Sequence, residues 1–502
     1  MWSNIVAALP LLFSLKGIIA MVVGVILGSS IGALPGLSAT MGVALVLPFT
    51  FTMPPEIGLL LIAGIYNGAI YGGSITAILI RVPGTPASCA TIFDGYPMVQ
   101  QGRANEALEA AISSSTFGGV LSALALLFIA PPLAAFSLAF GPAEYFWLAV
   151  FGLTIIISLS SESLVKGLLS ACLGLFIALI GQDPVTARVR FTFGITDLIG
   201  GVELVSFLIG LFSIPQALTL VEKHGQGIVL KGQNQETLGK VRLFQHFPRL
   251  WRTYIRSSII GTVIGIIPGA GANIASFIGY NEARRNSKDR DKFGTGLVEG
   301  VVGSEAANNA VTGGSLIPLL TLGIPGNAVS AIVLGGLMIH GLTVGPQLFN
   351  NNPDIVYTFM MGMLVTNVIM LVCGYYGARA FVNVVRVPNH ILAPIVIVLS
   401  VIGSFAIRNS MFDVAMMLFF GVIGYLMQKG EYPLAPAVLA LILGPMAESN
   451  LRRAMLMGGG SLRFLFRSTV SWILIIITLI SVALPLIRNY QERNRKESSV
   501  EG

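Results

Sequence analysis

The 502-residue sequence predicts an all-α polytopic membrane protein, an inverted repeat with broken, re-entrant helices and about 10–12 membrane segments. Three observations predict it. Mean hydropathy is +0.82, with 54% hydrophobic and only 11% charged residues, whereas a soluble domain carries about 25% charged residues. Residues 257–281 form an apolar stretch of span length that is interrupted at its centre by Pro268-Gly269-Ala270-Gly271. The pattern of that stretch also occurs in the first half of the chain.

Basic residues crowd both sides of the interrupted stretch: Arg249, Arg252 and Arg256 before it, Arg284, Arg285 and Lys288 after it. A simple span carries most of its positive charge on one side. A hairpin that dips into the membrane and returns satisfies both flanks. Each arm would hold about 11–12 residues, roughly 17 Å of helix, enough to reach the middle of a ~30 Å core. Broken helices persist at that depth only where they are buried in protein or line a cavity.

The remaining elements follow in order. The N-terminus reads as retained membrane sequence, since no small-residue cleavage site follows the first apolar patch. An apolar run over 17–34 ends at Pro35-Gly36, and Met53-Pro54-Pro55-Glu56 punctuates before a run that reaches Tyr71-Gly72-Gly73-Ser74 and stops at Pro83-Gly84. Asp94-Gly95 marks a turn or cap in a polar loop through Arg103. Helical runs follow near 107–130, 143–160, 164–181 and 200–220. Residues 1–220 thus make a first half, and 221–256, rich in Lys and Arg, a cytoplasmic linker. Residues 257–488 make a second half, with later runs near 355–378, 390–407, 411–428, 433–446 and 470–487, and 489–502 a basic cytoplasmic tail. The Asn350–Asn352 stretch reads as an exposed turn, and the lone His340 as a packing or interface residue.

The halves match position by position. Gly28-x3-Gly32-x2-Pro35-Gly36 aligns with Gly261-x3-Gly265-x2-Pro268-Gly269 without a gap. Gly72-Gly73-Ser74 and Pro83-Gly84 match Gly313-Gly314-Ser315 and Pro325-Gly326, and seven residues before each serine stand Asn67 and Asn308. Charge indicates inversion. The second hairpin is flanked by basic residues, whereas the first has Lys16 before and Glu56 after, and the loop past Pro83-Gly84 holds Arg103, while no Lys or Arg follows Pro325-Gly326 until Arg379.

Each break frees backbone N–H and C=O groups inside the membrane, which suits anions at helix N-termini and cations at unwound carbonyls. The substrate-binding candidates are therefore Gly36, Ser38, Thr40, Pro83, Gly84, Gly269, Gly271, Asn273, Ser276, Pro325 and Gly326. Glu305, Asn308 and Asn309 share one face of a helix in apolar surroundings. With Asn67 they are the ion-coupling candidates, and Asn67 and Asn308 are the candidate ligands of a Na⁺ site. Helix-packing hydrogen bonds are the plainer use of such polar groups. Arg81 suits either a substrate carboxylate or a lipid headgroup. No catalytic residue, cofactor or nucleic-acid surface is indicated. Walker and His-Glu-x-x-His motifs are absent, Cys89, Cys172 and Cys373 are scattered, and the basic residues sit in short loops where topology explains them.

The stretches GALPGLSATMGVALVLPFTF, IYNGAIYGGSITAILIRVPGTPAS, ATIFDGYPM, GIIPGAGANIASFIGY, EGVVGSEAANNAVTGGSLIPLLTLGIPGNA and GLMIHGLTVGP resemble the large membrane subunit of the tripartite tricarboxylate transporter family (TctA-like). The resemblance runs over nearly the whole chain. It implies a multi-pass subunit of the bacterial inner membrane, working with a small four-helix membrane subunit (TctB-like) and a periplasmic solute-binding protein (TctC-like). The system would import a carboxylate with Na⁺ or H⁺ as coupling ion. Gly303-Ser304, where the family usually has Ala-Pro, is a departure, as are Gly459-Gly460-Ser461 and Arg467-Ser468. A channel-like permease without gradient coupling, or a membrane enzyme, are the competing classes.

Overall fold

The computed structural model describes residues 1–34, 36–159, 163–183, 186–222, 242–384, 387–481 and 483. The expected linker is described only from residue 242, and the expected basic tail lies outside the described residues. The described chain is all-α. Its helices are α1 (Trp2–Leu12), α2 (Leu15–Ala33), α3 (Ala39–Thr50), α4 (Pro55–Ile80), α5 (Ile92–Gln100), α6 (Ala104–Ser137), α7 (Pro142–Leu159), α8 (Leu164–Ala178), α9 (Leu204–Glu222) and α10 (Phe247–Ile266). There follow α11 (Gly271–Asn286), α12 (Val298–Gly314), α13 (Leu316–Leu322), α14 (Ala328–Ile339), α15 (Pro346–Asn351), α16 (Pro353–Val384), α17 (Asn389–Arg408), α18 (Met411–Lys429) and α19 (Leu434–Met457). Among the described residues the only sheet is the two-residue pairing of Gly181–Gln182 with Val189–Arg190.

Among the described residues, eight helices are long and apolar enough to cross a membrane, and six apolar helices are shorter. Of the two broken hairpins only α2 is among the eight: α3 and α11 are too short, as is α12, and α10 carries Arg249, Arg252 and Arg256. The hairpin arms are also longer than expected. α10 has 20 residues and α11 16, because both helices continue into the charged flanks.

Two compact units are built from alternating parts of the chain. One takes Met1–Ala135 and Leu204–Tyr425, and the other takes described residues of Phe136–Glu203 and Leu426–Gly502. In the second unit, Arg190 and Arg452 share the carboxylates of Asp183 and Glu448, which ties the short β-pair to α19.

The first unit holds both broken hairpins. α2 lies along α4 so closely that a methyl group on Gly28 would stand 2.4 Å from the Ile65 carbonyl oxygen and one on Gly32 2.1 Å from that of Ala69. The contacts advance together, so the two helices run parallel, and α3 turns back from the tip. α10 lies along α12 in the same way, with Gly261 against Ala307 and Gly265 against Ser315. α4 and α12 run in opposite directions. Gly58, near the start of α4, abuts His340 at the end of α14, while beyond α4, Gln101 and Arg103 bond the carbonyls of Thr295 and Gly296 just before α12. The two hairpins therefore enter from opposite ends of the unit.

The end that receives the α10–α11 hairpin is the basic one. Arg103 pairs with Glu106 at 2.7 Å, and His246 lies 3.3 Å from Glu106. Burial holds the His246 imidazole below the usual histidine range, opposed by the Glu106 charge. Glu299 accepts from Thr253 at 2.8 Å and Ser287 at 2.6 Å, fixing both hairpin flanks to the start of α12.

Candidate functional site

Each hairpin tip rests on the second Pro-Gly break of its own half. The Gly84 N–H donates to the Gly73 carbonyl at 3.2 Å, and the Gly326 N–H to that of Ser315 at 3.3 Å. A methyl group on Gly84 would lie 2.0 Å from the Gly32 carbonyl oxygen, and one on Gly326 2.4 Å from that of Gly265. Gly32 and Gly265 are the aligned tip glycines. Both breaks then restart with a residue pair three apart. Thr85 and Ser88 place their hydroxyls 3.3 Å apart, and Asn327 and Ser330 form a reciprocal capping box, 2.8 Å and 2.9 Å. The pattern Gly-[Thr/Asn]-x-x-Ser was legible in the sequence as a helix-start signal and extends the repeat.

Asn327 also donates to the Tyr66 hydroxyl at 2.8 Å, which meets Ser315 at 3.0 Å. Asn327→Ala is expected to lower unfolding stability by about 1–2 kcal/mol through the lost cap, with Asn327→Ser recovering most of it. An unchanged unfolding midpoint in detergent for the alanine variant would contradict the capping role.

The tips themselves present helix N-termini. Gly36 (φ +90°) is exposed, Ser38 accepts from the Met41 amide at 3.1 Å, and Thr40 is half-buried. At the second tip Gly269 (φ +83°) and Gly271 (φ +64°) turn the chain, and the Gly269 N–H bonds the Gly326 carbonyl at 2.8 Å. No side chain caps α11, so its first-turn amides have no intrahelical acceptor, and Asn273 is exposed beside them. Ser276 is buried and back-bonds the Asn273 carbonyl at 3.0 Å, so its hydroxyl serves its own helix. Pro83 is half-buried and Pro325 fully buried.

The polar face of α12 is buried throughout. Glu305, Asn308 and Asn309 are all 0% exposed. One Glu305 oxygen accepts from Thr91, the other from Ser115 at 3.0 Å. Thr91 also lies 3.1 Å from the Ser304 hydroxyl, which gives the departure at 303–304 a structural use. Asn308 stands beside the carboxylate without either carboxamide atom meeting hydrogen-bond geometry. Asn309 Nδ2 reaches the Glu305 carbonyl at 3.5 Å, leaving its oxygen unbonded. Asn67 is equally buried, but its amide donates to Thr366 at 2.8 Å and Met363 at 3.2 Å on α16, not to Asn308. Among the described residues no three His, Cys, Asp or Glu side chains are grouped as a metal site.

Three expectations change. Asp94 is no loop turn: it lies within α5, 0% exposed, and one carboxylate oxygen accepts the amides of Gly294, Gly296 and Leu297 at 2.9, 2.9 and 2.8 Å. The other accepts from Tyr280 at 2.8 Å. Arg81 is exposed in a left-handed conformation with its guanidinium 5.7 Å from the Tyr96 ring centroid. Asn350 and Asn351 close the short helix α15. Thr91 and Ser115 were not among the sequence candidates, since single hydroxyls in apolar runs carry no signal until Glu305 is placed beside them.

An all-α chain with two oppositely oriented broken hairpins and a buried polar face on α12 defines a multi-pass, inverted-repeat membrane protein. Residues 18–439 match the model of the tripartite tricarboxylate transporter TctA family, to which the chain belongs. It is 37% identical over 475 residues, 94% of each chain, to an uncharacterized 52.8 kDa protein in the TAR-I ttuC' 3' region of Agrobacterium vitis. It is 32% identical over 233 residues to an uncharacterized protein in the TAR-II ttuC' 3' region of the same organism, covering 46% of this chain and 96% of that protein. No solved structure matches.

Proposed function

We propose that the protein is the large transmembrane subunit of an ion-gradient-driven uptake system for small organic di- or tricarboxylates in the bacterial inner membrane. A periplasmic binding protein of the TctC type delivers the solute, a small TctB-type subunit completes the membrane part, and Na⁺ or H⁺ supplies the driving force. The protein acts as a carrier, not an enzyme. One observation carries this reading: two oppositely oriented tips each end in a helix N-terminus, at α3 and at the uncapped α11. Open first-turn amides and the helix dipole favour carboxylate oxygens. Ser38, Thr40 and Asn273 add side-chain donors beside them, while the α12 polar face serves the coupling ion.

Proteoliposomes holding the three components, with a labelled tricarboxylate and an imposed Na⁺ or proton gradient, test it. Thr40→Ala and Asn308→Ala are each expected to reduce uptake by about tenfold, a loss of about 1.4 kcal/mol. Full uptake in both variants would refute the site. Flux that ignores the gradient would favour a channel.

A further inference from the structure

Glu305 is a buried carboxylate with no positive partner: its neighbours are the hydroxyls of Thr91 and Ser115 and the carboxamide of Asn308. The surrounding helices carry Tyr71 on α4, Asp94 on α5, Glu109 on α6, Tyr254 on α10 and Tyr280 on α11. The arginines of the hairpin, Arg249, Arg252 and Arg256 on α10 and Arg284 and Arg285 on α11, lie in its charged flanks, where Arg249 pairs with Asp289 and Arg285 with Glu282, and none pairs with Glu305. A carboxylate taken out of water costs several kcal/mol unless a counter-charge or a proton neutralises it, and among the described residues no cationic side chain pairs with Glu305.

The surroundings consist of hard oxygens. Thr91, Ser115, Ser304 and Glu305 are each 0% exposed. Ser304 directs its proton to the carbonyl of Gly300 at 3.0 Å or Val301 at 3.1 Å, so its lone pairs remain available on the Thr91 side. Asn308, one turn on, adds a buried carboxamide with both polar atoms unpartnered. Oxygen donors of this kind suit hard alkali and alkaline-earth cations, and total ligand charge sets which of them binds. With one carboxylate, the charge balances at +1.

We infer that Thr91, Ser115, Ser304 and Glu305, with the Asn308 carboxamide, form a binding site for a monovalent cation of Na⁺ size. The site is shared between the repeats, since Thr91 and Ser115 come from the first half and the other residues from the second. Asn67 is not one of these ligands: its Nδ2 is held by Met363 and Thr366 on α16, although its Oδ1 is buried and unpartnered. Thr91 precedes α5 and follows the Pro83-Gly84 break, and α12 leads through α13 to the break at Pro325-Gly326. A cation here fastens the two halves to each other. The inference rests on the carrier reading for its role in coupling, but its test needs neither solute nor partner.

The test is the unfolding midpoint of the full chain in lipid nanodiscs, titrated with NaCl against choline chloride at constant ionic strength and at two pH values. Wild type is expected to show saturable stabilisation specific to Na⁺, as ligand linkage requires. Glu305→Gln should abolish it, Ser115→Ala and Thr91→Ala should weaken apparent affinity by about tenfold, and Thr91→Ser should restore it. Asn67→Ala should leave it intact. If Glu305→Gln does not fold, the Ser115→Ala and Thr91→Ser pair decides. No Na⁺-specific shift, an equal shift in the hydroxyl variants, or stabilisation that follows pH and ignores Na⁺ would overturn the site. Wild-type proteoliposomes that fail to move carboxylate under any gradient would instead overturn the carrier reading and leave the cation site standing.

Discussion

Gly84→Ala is expected to abolish uptake and to prevent accumulation of a stably folded chain, the largest effect foreseen for a one-carbon change. The new methyl would stand 2.0 Å from the Gly32 carbonyl oxygen, with the Thr76 hydroxyl at 2.8 Å and the Gly73 Cα at 2.9 Å. Two of these three neighbours are backbone, so no rotamer change relieves the clash. Overpacking a fixed interior site costs about 1–3 kcal/mol, and more where the backbone itself must move. Moving it here separates the first tip from its supporting break. Gly326→Ala meets the Gly265 carbonyl oxygen at 2.4 Å and should behave alike. Gly200→Ala, with nothing within 4 Å, is the control and should be neutral. Expression, monodispersity in detergent and gradient-driven uptake check the set. Near wild-type behaviour of Gly84→Ala would mean that the break and the tip do not pack as described.

Asp94→Ala should produce the second largest loss. It removes a 0% exposed acceptor from three backbone amides and one tyrosine hydroxyl, of which the Gly296 and Tyr280 bonds are buried and the Gly294 and Leu297 bonds part-buried. Each buried donor left without a partner costs about 1–3 kcal/mol, a large share of the stability of many domains. Gly294 (φ +87°) and Gly296 (φ +104°) curl the chain so that these amides converge on one oxygen. Asp94→Asn keeps an acceptor oxygen but loses the charge that strengthens these bonds, and should be intermediate. Hydrogen exchange at residues 294–297 and the unfolding midpoint measure the effect. Because Thr91 lies one turn before Asp94, the same variants should weaken Na⁺ stabilisation. Unaltered exchange at 294–297 in Asp94→Ala would show that the loop is held by other contacts, such as that of Gln101 with Thr295.

The pseudo-symmetry gives these predictions a common basis. Two breaks and two tips have the same local logic in each half, so paired substitutions there should produce paired outcomes, while only the second restart carries a side-chain cap. The exception lies on α12, where the second half carries Glu305 three residues before Asn308 and the first half has Gly64 three residues before Asn67. The buried carboxylate is therefore confined to one of two otherwise similar frames.

The sequence alone determined the membrane class, the helical content, the order of the runs and the two Pro-Gly frames. Each of these follows from local composition or spacing: hydrophobic length sets spans, proline and glycine set breaks, and Lys and Arg set sides. It also marked Glu305 and Asn308, because charge and amide groups are conspicuous in an apolar helix. Tertiary structure alone decided what surrounds them. The Glu305 partners lie 214 and 190 residues away along the chain, and Asn67 proved to bond α16, 299 residues away. Asp94 illustrates the limit best, since Asp-Gly carries a strong turn signal, yet three distant amides and a tyrosine offered its carboxylate more than a local turn could. Spacing shows which residues share a helix face, but only packing brings the opposing face to them.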